Sequence, residues 1–161
     1  MAGESQQTLI KCLVALVLIC FSAYADESTP NQAANSHLVL TAKVFTQRKD
    51  LIEILGVDPG DGFIVVKMRA APNVIEPMRL SSDDFTLLSR KNGERSPSMR
   101  PIRFTRRAKD QELLDAKLFP DAETREPVEG LLYFLMDGKF QPKNLGLIYS
   151  GAAGRLIIDF K

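Results

Sequence analysis

The basic side chains between residues 91 and 109 form the group whose type and spacing most clearly indicate a binding function. The group consists of Lys91, Arg95, Arg100, Arg103, Arg106, Arg107 and Lys109, with Glu94 as the acidic residue among them. Guanidinium groups bind phosphate and carboxylate groups through paired hydrogen bonds. We therefore predict a cationic contact surface for an anionic partner, with Arg100, Arg103, Arg106, Arg107 and Lys109 as the candidate partner-binding residues.

The stretch that follows is acidic and supports a second interpretation. Between residues 110 and 129 the carboxylates outnumber Lys117 and Arg125; they belong to Asp110, Glu112, Asp115, Asp121, Glu123, Glu126 and Glu129. This stretch can fold against the basic one as a solvated ion-pair surface, which would add little stability. The whole chain has a formal net charge of +1, so only the distribution of charge can select a partner.

Residue types that usually perform catalysis are scarce. The chain has one histidine, His37, and two cysteines, Cys12 and Cys20. Nucleophilic catalysis requires an activated nucleophile with a base within reach. A serine site would therefore require His37 to fold back onto a serine. We predict no catalytic residue and no enzymatic activity.

Four aspartates could in principle bind calcium. Asp58, Asp61, Asp83 and Asp84 supply the oxygen ligands that this ion prefers, and soft or imidazole ligands for zinc or copper are missing. The spacing of an Asp-x-Asp-x-Asp-Gly loop is absent. We therefore predict that the first two aspartates serve a Pro-Gly turn and that the other two begin a strand, with no metal and no cofactor bound.

Residues 1–25 have the features of a cleavable signal peptide. Lys11 precedes an apolar run from Cys12 to Phe21, and the small-x-small sequence Ala23-Tyr24-Ala25 predicts cleavage before Asp26. A membrane anchor is the first alternative, but a run of about ten residues is shorter than the roughly 20 needed to span a bilayer. A lipoprotein is the second alternative, because Cys20 ends the run, although the residue before it is a bulky isoleucine.

Export has consequences for the rest of the chain. Both cysteines lie in the signal peptide, so no disulfide can form in the mature protein and its stability must come from an apolar core. We predict a secreted or periplasmic protein with no membrane span in the mature chain. Nucleic acid is not expected as a partner, because export separates the protein from it and Phe104, the aromatic residue between the arginines, is expected to point into the core.

Period-two alternation of apolar residues predicts an all-β domain at 37–161, after a flexible leader at 26–36. Strands are predicted around 38–44, 63–71, 85–89, 102–104, 131–136, 145–149 and 156–160, with a tight turn at Asn92-Gly93. The strand at 131–136 is apolar at every position, which is typical of a central strand. A helix is predicted from Asp50, as N-cap, to Gly56, and another from Asp110 to Phe119. The fold class is an antiparallel immunoglobulin-like β-sandwich with one or two short helices; a small closed barrel is the alternative.

The order of segments FIVVKMRA, LSSDDFTLLSRKNGE and EPVEGLLYFLMDGKFQPKNLGLIYSGAAGRLIIDF supports this fold. It resembles the extracellular immunoglobulin-like domains of unknown function grouped with the secreted immunoprotective antigens of mycobacteria. The matching positions are Ser82, Asp83, Asp84, Phe85, Leu87, Gly93, Gly130, Phe134, Leu145 and Phe160. The resemblance covers Gly62 to Phe160, departs from the family at 70–73 and 105–124, and implies a secreted β-sandwich without catalytic residues.

These patterns together predict an exported, non-enzymatic binding module. Its partner would be a protein or an anionic component of the cell envelope, bound through the basic segment 91–109. The alternative is a structural accessory subunit that joins an envelope complex by pairing an edge strand. The two alternatives differ in salt dependence, because a cationic contact weakens with ionic strength and strand pairing does not.

Overall fold

Alternating apolar residues build a mostly β structure in the computed structural model, which describes residues 31–91, 94–104 and 108–161. Ten strands form in these ranges: β1 (Asn31–Ala34), β2 (Leu38–Phe45), β3 (Phe63–Pro72), β4 (Met78–Leu80), β5 (Phe85–Lys91), β6 (Glu94–Met99), β7 (Ala122–Thr124), β8 (Val128–Leu135), β9 (Leu145–Gly151) and β10 (Gly154–Asp159). Helix α1 spans Arg48–Leu55 and helix α2 spans Ala108–Asp115, while short 3₁₀ turns form at Ser82–Asp84 and Pro142–Asn144.

The strands form two antiparallel four-stranded sheets and one small pair. The first sheet has the order β1-β2-β3-β8, the second has the order β10-β9-β5-β6, and β4 pairs with β7. The register places Leu40 opposite Ala70 and Phe85 opposite Tyr149. The described strands form no closed barrel, so the sheet architecture favours the open arrangement over the barrel alternative.

Apolar residues of the two sheets share one core. β2, β3 and β8 contribute Leu38, Leu40, Ile64, Val66, Met68, Leu132 and Phe134, and β5, β9 and β10 contribute Phe85, Leu87, Leu145, Leu147, Tyr149, Leu156 and Ile158. Each such side chain stabilises the fold by about 1.5–3 kcal/mol relative to exposure. Because residues two apart point to the same face, the alternation seen in the sequence is the pattern that fills this core.

The outer face of the first sheet carries a second core under the two helices. Val65 of β3 and Leu131 and Tyr133 of β8 pack there with Leu51, Leu55, Leu114 and Phe104. The hydroxyl of Tyr133 donates a hydrogen bond to the carbonyl oxygen of Leu114 at 2.9 Å and so fixes the end of α2. Residues 131–134 of β8 are therefore apolar at successive positions, because this part of the strand is covered on both faces.

The prediction that this strand is central was wrong, since β8 lies at the edge of its sheet. Its outer edge is nevertheless occupied by Ile102, whose amide donates to the carbonyl of Tyr133, and by the segment 117–119. The amide of Leu131 donates to the carbonyl of Lys117 at 2.8 Å, and the amide of Phe119 donates to Leu131 at 2.9 Å. Gly130 permits this approach, because a Cβ atom there would overlap the main chain of Phe119.

Two further strand predictions need correction. Residues 31–34 form β1 within the segment 26–36, where a leader was predicted; this strand joins β2 through its main chain, so its pairing requires no apolar alternation. The strand returning from β5 is β6, and 102–104 lies outside the strands. Phe104 instead packs on the outer core. The predicted turn at Asn92-Gly93 lies outside the described residues.

Both predicted helices are present with shifted ends. Helix α1 begins after Gln47, whose side chain makes no cap hydrogen bond, so the predicted N-cap at Asp50 was wrong. It ends as predicted at Gly56, which adopts a left-handed conformation with φ of 77°. Lys117 caps this end by donating to the carbonyls of Ile54 and Leu55, both at 2.9 Å. No helix in the described ranges has the length and apolar content needed to cross a membrane.

Candidate functional site

Arg103 is directed toward solvent by its two neighbours in the chain. The amide of Ile102 donates to the carbonyl of Tyr133 at 2.8 Å. The ring of Phe104 lies 4.5 Å from the ring of Phe63 and 4.7 Å from that of Tyr133. With residues 102 and 104 held on the outer core, the side chain of Arg103 is exposed. Arg103 therefore lies exposed between two apolar residues that pack on the outer core.

Two other candidate residues are exposed as well. Arg100 precedes this anchored segment, and Lys109 lies in the first turn of α2. Within the described ranges, the ion pairs involve Arg48, Arg69 and Arg90, and none involves Arg100, Arg103 or Lys109. A cation in the first turn of a helix opposes the helix dipole, so helix stability does not account for Lys109.

Five of the predicted positions fall where no structure is described. Arg106 and Arg107 of the basic segment lie between the described ranges. The residues of the predicted cleavage site, Ala23, Ala25 and Asp26, precede them. The candidate residues that the structure describes lie on either side of residues 105–107, with Arg100 and Arg103 before them and Lys109 after them.

The acidic stretch makes its direct contacts elsewhere. Asp121 accepts hydrogen bonds from the hydroxyl of Ser81 at 2.8 Å and from the amide of Ser82 at 3.1 Å. The hydroxyl hydrogen bond is the main cause that lowers the pKa of Asp121, and the nearby charge of Arg103 lowers it further. Glu129 pairs with Arg69 at 3.1 Å. Among the described residues, the acidic stretch acts on Arg103 through the charge of Asp121 and forms no direct ion pair with Arg100, Arg103 or Lys109.

A cleft of about 560 Å³ opens beside Arg103. Its lining includes the apolar residues Phe119 and Tyr133 and the acidic residues Asp83, Asp115 and Asp121. A phosphate or carboxylate group that approaches Arg103 from this side meets like charges.

Three of the four aspartates considered for calcium, Asp58, Asp61 and Asp84, make contacts within the protein. Asp58 accepts two hydrogen bonds from the guanidinium of Arg48, and Asp61 lies 3.6 Å from the same group. Asp84 accepts from the amide of Ser81 and completes a capping box there. No group of three potential metal-binding side chains occurs in the part of the chain that the structure describes. The turn and strand-start interpretation of these residues accounts for their positions.

His37 lies immediately before β2 and is exposed. Its amide donates to the side-chain oxygen of Asn35 at 2.9 Å, in the short link between β1 and β2. The structure thus places His37 at the start of a strand, as predicted.

A second and larger cleft, of about 680 Å³, was not predicted from the sequence. Its walls come from residues 46–48, 60–64 and 135–142, which are far apart in the chain. The available signals were the glycine-containing turn sequences around Gly60, Gly62 and Gly138, but these indicate turns and do not reveal that the turns converge.

Comparison with known proteins gives a limited result. No protein-family model matches the sequence, and no curated protein matches it significantly. Among solved structures, the chain is similar to a candidate lipoprotein, YcdA, of Bacillus subtilis, with a TM-score of 0.46 and 18% sequence identity. The alignment covers 83% of this chain and 39% of that one, so the chain spans less than half the length of the protein it matches.

Proposed function

We propose that the chain is an exported, non-enzymatic binding module that contacts an anionic partner in the cell envelope through the basic segment 91–109. The observation that carries this proposal is the exposure of Arg100, Arg103 and Lys109 without an ion pair to any described carboxylate. Cationic groups that are not paired with carboxylates of the same protein can form charge-assisted hydrogen bonds with a partner. The signal-peptide pattern of residues 1–25 supports an extracytoplasmic location.

We also propose that the fold is immunoglobulin-like. The strand order supports this assignment, because β2-β3-β8 corresponds to strands A, B and E, and β10-β9-β5-β6 corresponds to G, F, C and C′ of that fold. β1 adds a further strand beside A. In this arrangement the basic segment includes C′ and continues to the start of α2, and Ile102 and Phe104 of the same segment pack on the outer core.

The alternative function, edge-strand pairing with an envelope complex, receives less support. The outer edge of β8 is already hydrogen-bonded to Lys117, Phe119 and Ile102. β6 contains Pro97, which lacks the amide hydrogen needed for a ladder. The other edge strands of the two four-stranded sheets, β1 and β10, lie beside each other. These features are typical of edges protected against pairing.

The test compares two charge-reversed forms of the mature chain 26–161. One carries Arg100→Glu, Arg103→Glu and Lys109→Glu. The matched control carries Lys49→Glu, Arg155→Glu and Lys161→Glu, which changes the net charge equally at exposed positions elsewhere. Partners are captured from an envelope extract at low and high salt.

We expect the parent and the control to retain a partner at low salt and to lose it at high salt, because salt screens exposed charges. The first variant should lose the partner at both. Equal losses in both variants would show an effect of net charge alone and would contradict a local contact surface. Recovery that is insensitive to salt and to both variants would favour edge-strand pairing instead.

A further inference from the structure

The larger cleft has one wall that is fixed without any ligand. The guanidinium of Arg48, at the start of α1, forms a forked hydrogen bond with both carboxylate oxygens of Asp58. The same aspartate accepts from the amide of Gly60 at 3.0 Å. These contacts tie the start of α1 to the turn at 58–61, so this wall needs no bound molecule to hold its shape.

The floor of the cleft is apolar and partly open to solvent. Phe63 and Leu135 lie opposite each other in the register of β3 and β8, and the side chain of Leu135 is among the large apolar groups left exposed, at 47%. Phe140, from the turn at 137–142, is half-buried and packs against the sandwich core. Clefts of roughly 300–1,000 Å³ with an apolar lining and a few polar groups are the usual form of small-molecule sites.

The rim of the cleft is balanced in charge. Two cations, Arg48 and Lys139, face two carboxylates, Asp61 and Asp137. Asp58, whose hydrogen bond raises the pKa of Arg48, is not among the lining residues. A charged ligand group would therefore meet as many repelling as attracting charges in the lining, whereas a neutral hydroxyl or amide can both donate to carboxylates and accept from cations.

We propose that this cleft binds an uncharged amphiphile. Its apolar body lies on Phe63, Leu135 and Phe140, and its neutral polar end lies among the rim residues Asp61, Asp137 and Lys139. The site is independent of the basic segment 91–109, because none of its lining residues belongs to that segment. It would give the protein a second binding activity, directed at a small molecule.

Fluorescence of N-phenyl-1-naphthylamine, an uncharged apolar probe, measures occupancy of the cleft in the mature chain. We expect saturable binding and displacement by 1-octanol at lower concentration than by octanoate or octylammonium, which carry the same alkyl chain. Leu135→Asp should weaken probe binding about tenfold, because it removes apolar contact and introduces a charge. The matched control is Ile157→Asp on β10, where the parent side chain is exposed to a similar extent, 45%; it should bind the probe as the parent does.

A variant at the exposed rim tests the charge balance without altering the floor. Asp137→Lys changes the rim by two positive charges and should favour octanoate over octylammonium by about fivefold, as expected for charges near solvent. Absence of saturable probe binding would overturn the proposal. So would equal losses in Leu135→Asp and Ile157→Asp, or a stronger displacement by either ion than by 1-octanol in the parent.

Discussion

Replacement of Gly130 by alanine should destabilise the protein by crowding the main chain beside β8. A Cβ atom at this position would overlap the backbone of Phe119. Relief of the overlap must move the 117–119 segment and weaken its two hydrogen bonds to Leu131. Overpacking costs about 1–3 kcal/mol and each lost hydrogen bond about 1 kcal/mol. We therefore expect the free energy of unfolding to fall by about 3 kcal/mol.

Urea denaturation of Gly130→Ala measures this change, and Gly154→Ala provides the control. Gly154 has a φ of 88°, and a Cβ atom there would meet no other atom within 4 Å, so alanine introduces only conformational strain of about 1–2 kcal/mol. If Gly130→Ala proves no more destabilising than Gly154→Ala, the close approach of the 117–119 segment to β8 is refuted.

Two further perturbations test other contacts. Lys117→Met removes the ammonium group that caps the last carbonyls of α1, and should lower the free energy of unfolding by about 1–2 kcal/mol; Lys143→Met, at an exposed lysine, should change it by less than about 0.5 kcal/mol. The hydrogen bond from Ser81 lowers the pKa of Asp121, so its stabilising contribution is complete above the ordinary pKa of about 3.9 and is lost as the pH falls through the lower folded value. Asp121→Asn should therefore be less stable than the parent near neutral pH, with a difference that shrinks toward about pH 2; a constant difference in acid titrations of stability would contradict this.

The sequence predicts well those strands that have one face in the core shared by the two four-stranded sheets. In β3, Ile64, Val66 and Met68 alternate with residues of the other face, and all three are buried between the sheets. The same alternation identifies β9 and β10, which pair around the turn at Gly151 and Gly154. Period-two burial is a local property of the chain, so it can be recognised without knowledge of the strand partners.

Features that depend on distant contacts could not be predicted in this way. Ile102 and Phe104 alternate like a strand, but Phe104 is buried by the rings of Phe63 and Tyr133 under the helical layer. Alternation indicates that a side chain is buried, but it does not indicate whether the side chain lies in the core between the sheets or in the outer core under the helices. The cap of α1 was missed for a related reason, because Lys117, distant in sequence, caps one end while Gln47 leaves the other without a side-chain cap.

Arg103, unlike Arg100 and Lys109, acts on the pKa of a carboxylate within the protein, so an effect on partner binding can be distinguished from an effect on stability. Its charge helps to lower the pKa of Asp121, whereas Arg100 and Lys109 are not among the groups that act on this carboxylate. Arg103→Glu should therefore weaken partner capture and also raise the pKa of Asp121, so that stability begins to fall at a higher pH during acid titration.

The double variant Arg100→Glu and Lys109→Glu should weaken partner capture while leaving acid stability as in the parent. Capture at two salt concentrations and acid unfolding, measured on the same samples, distinguish the two effects. If the double variant loses stability on acidification as Arg103→Glu does, the loss of binding reflects a changed fold, and the contact surface is not defined by these cations.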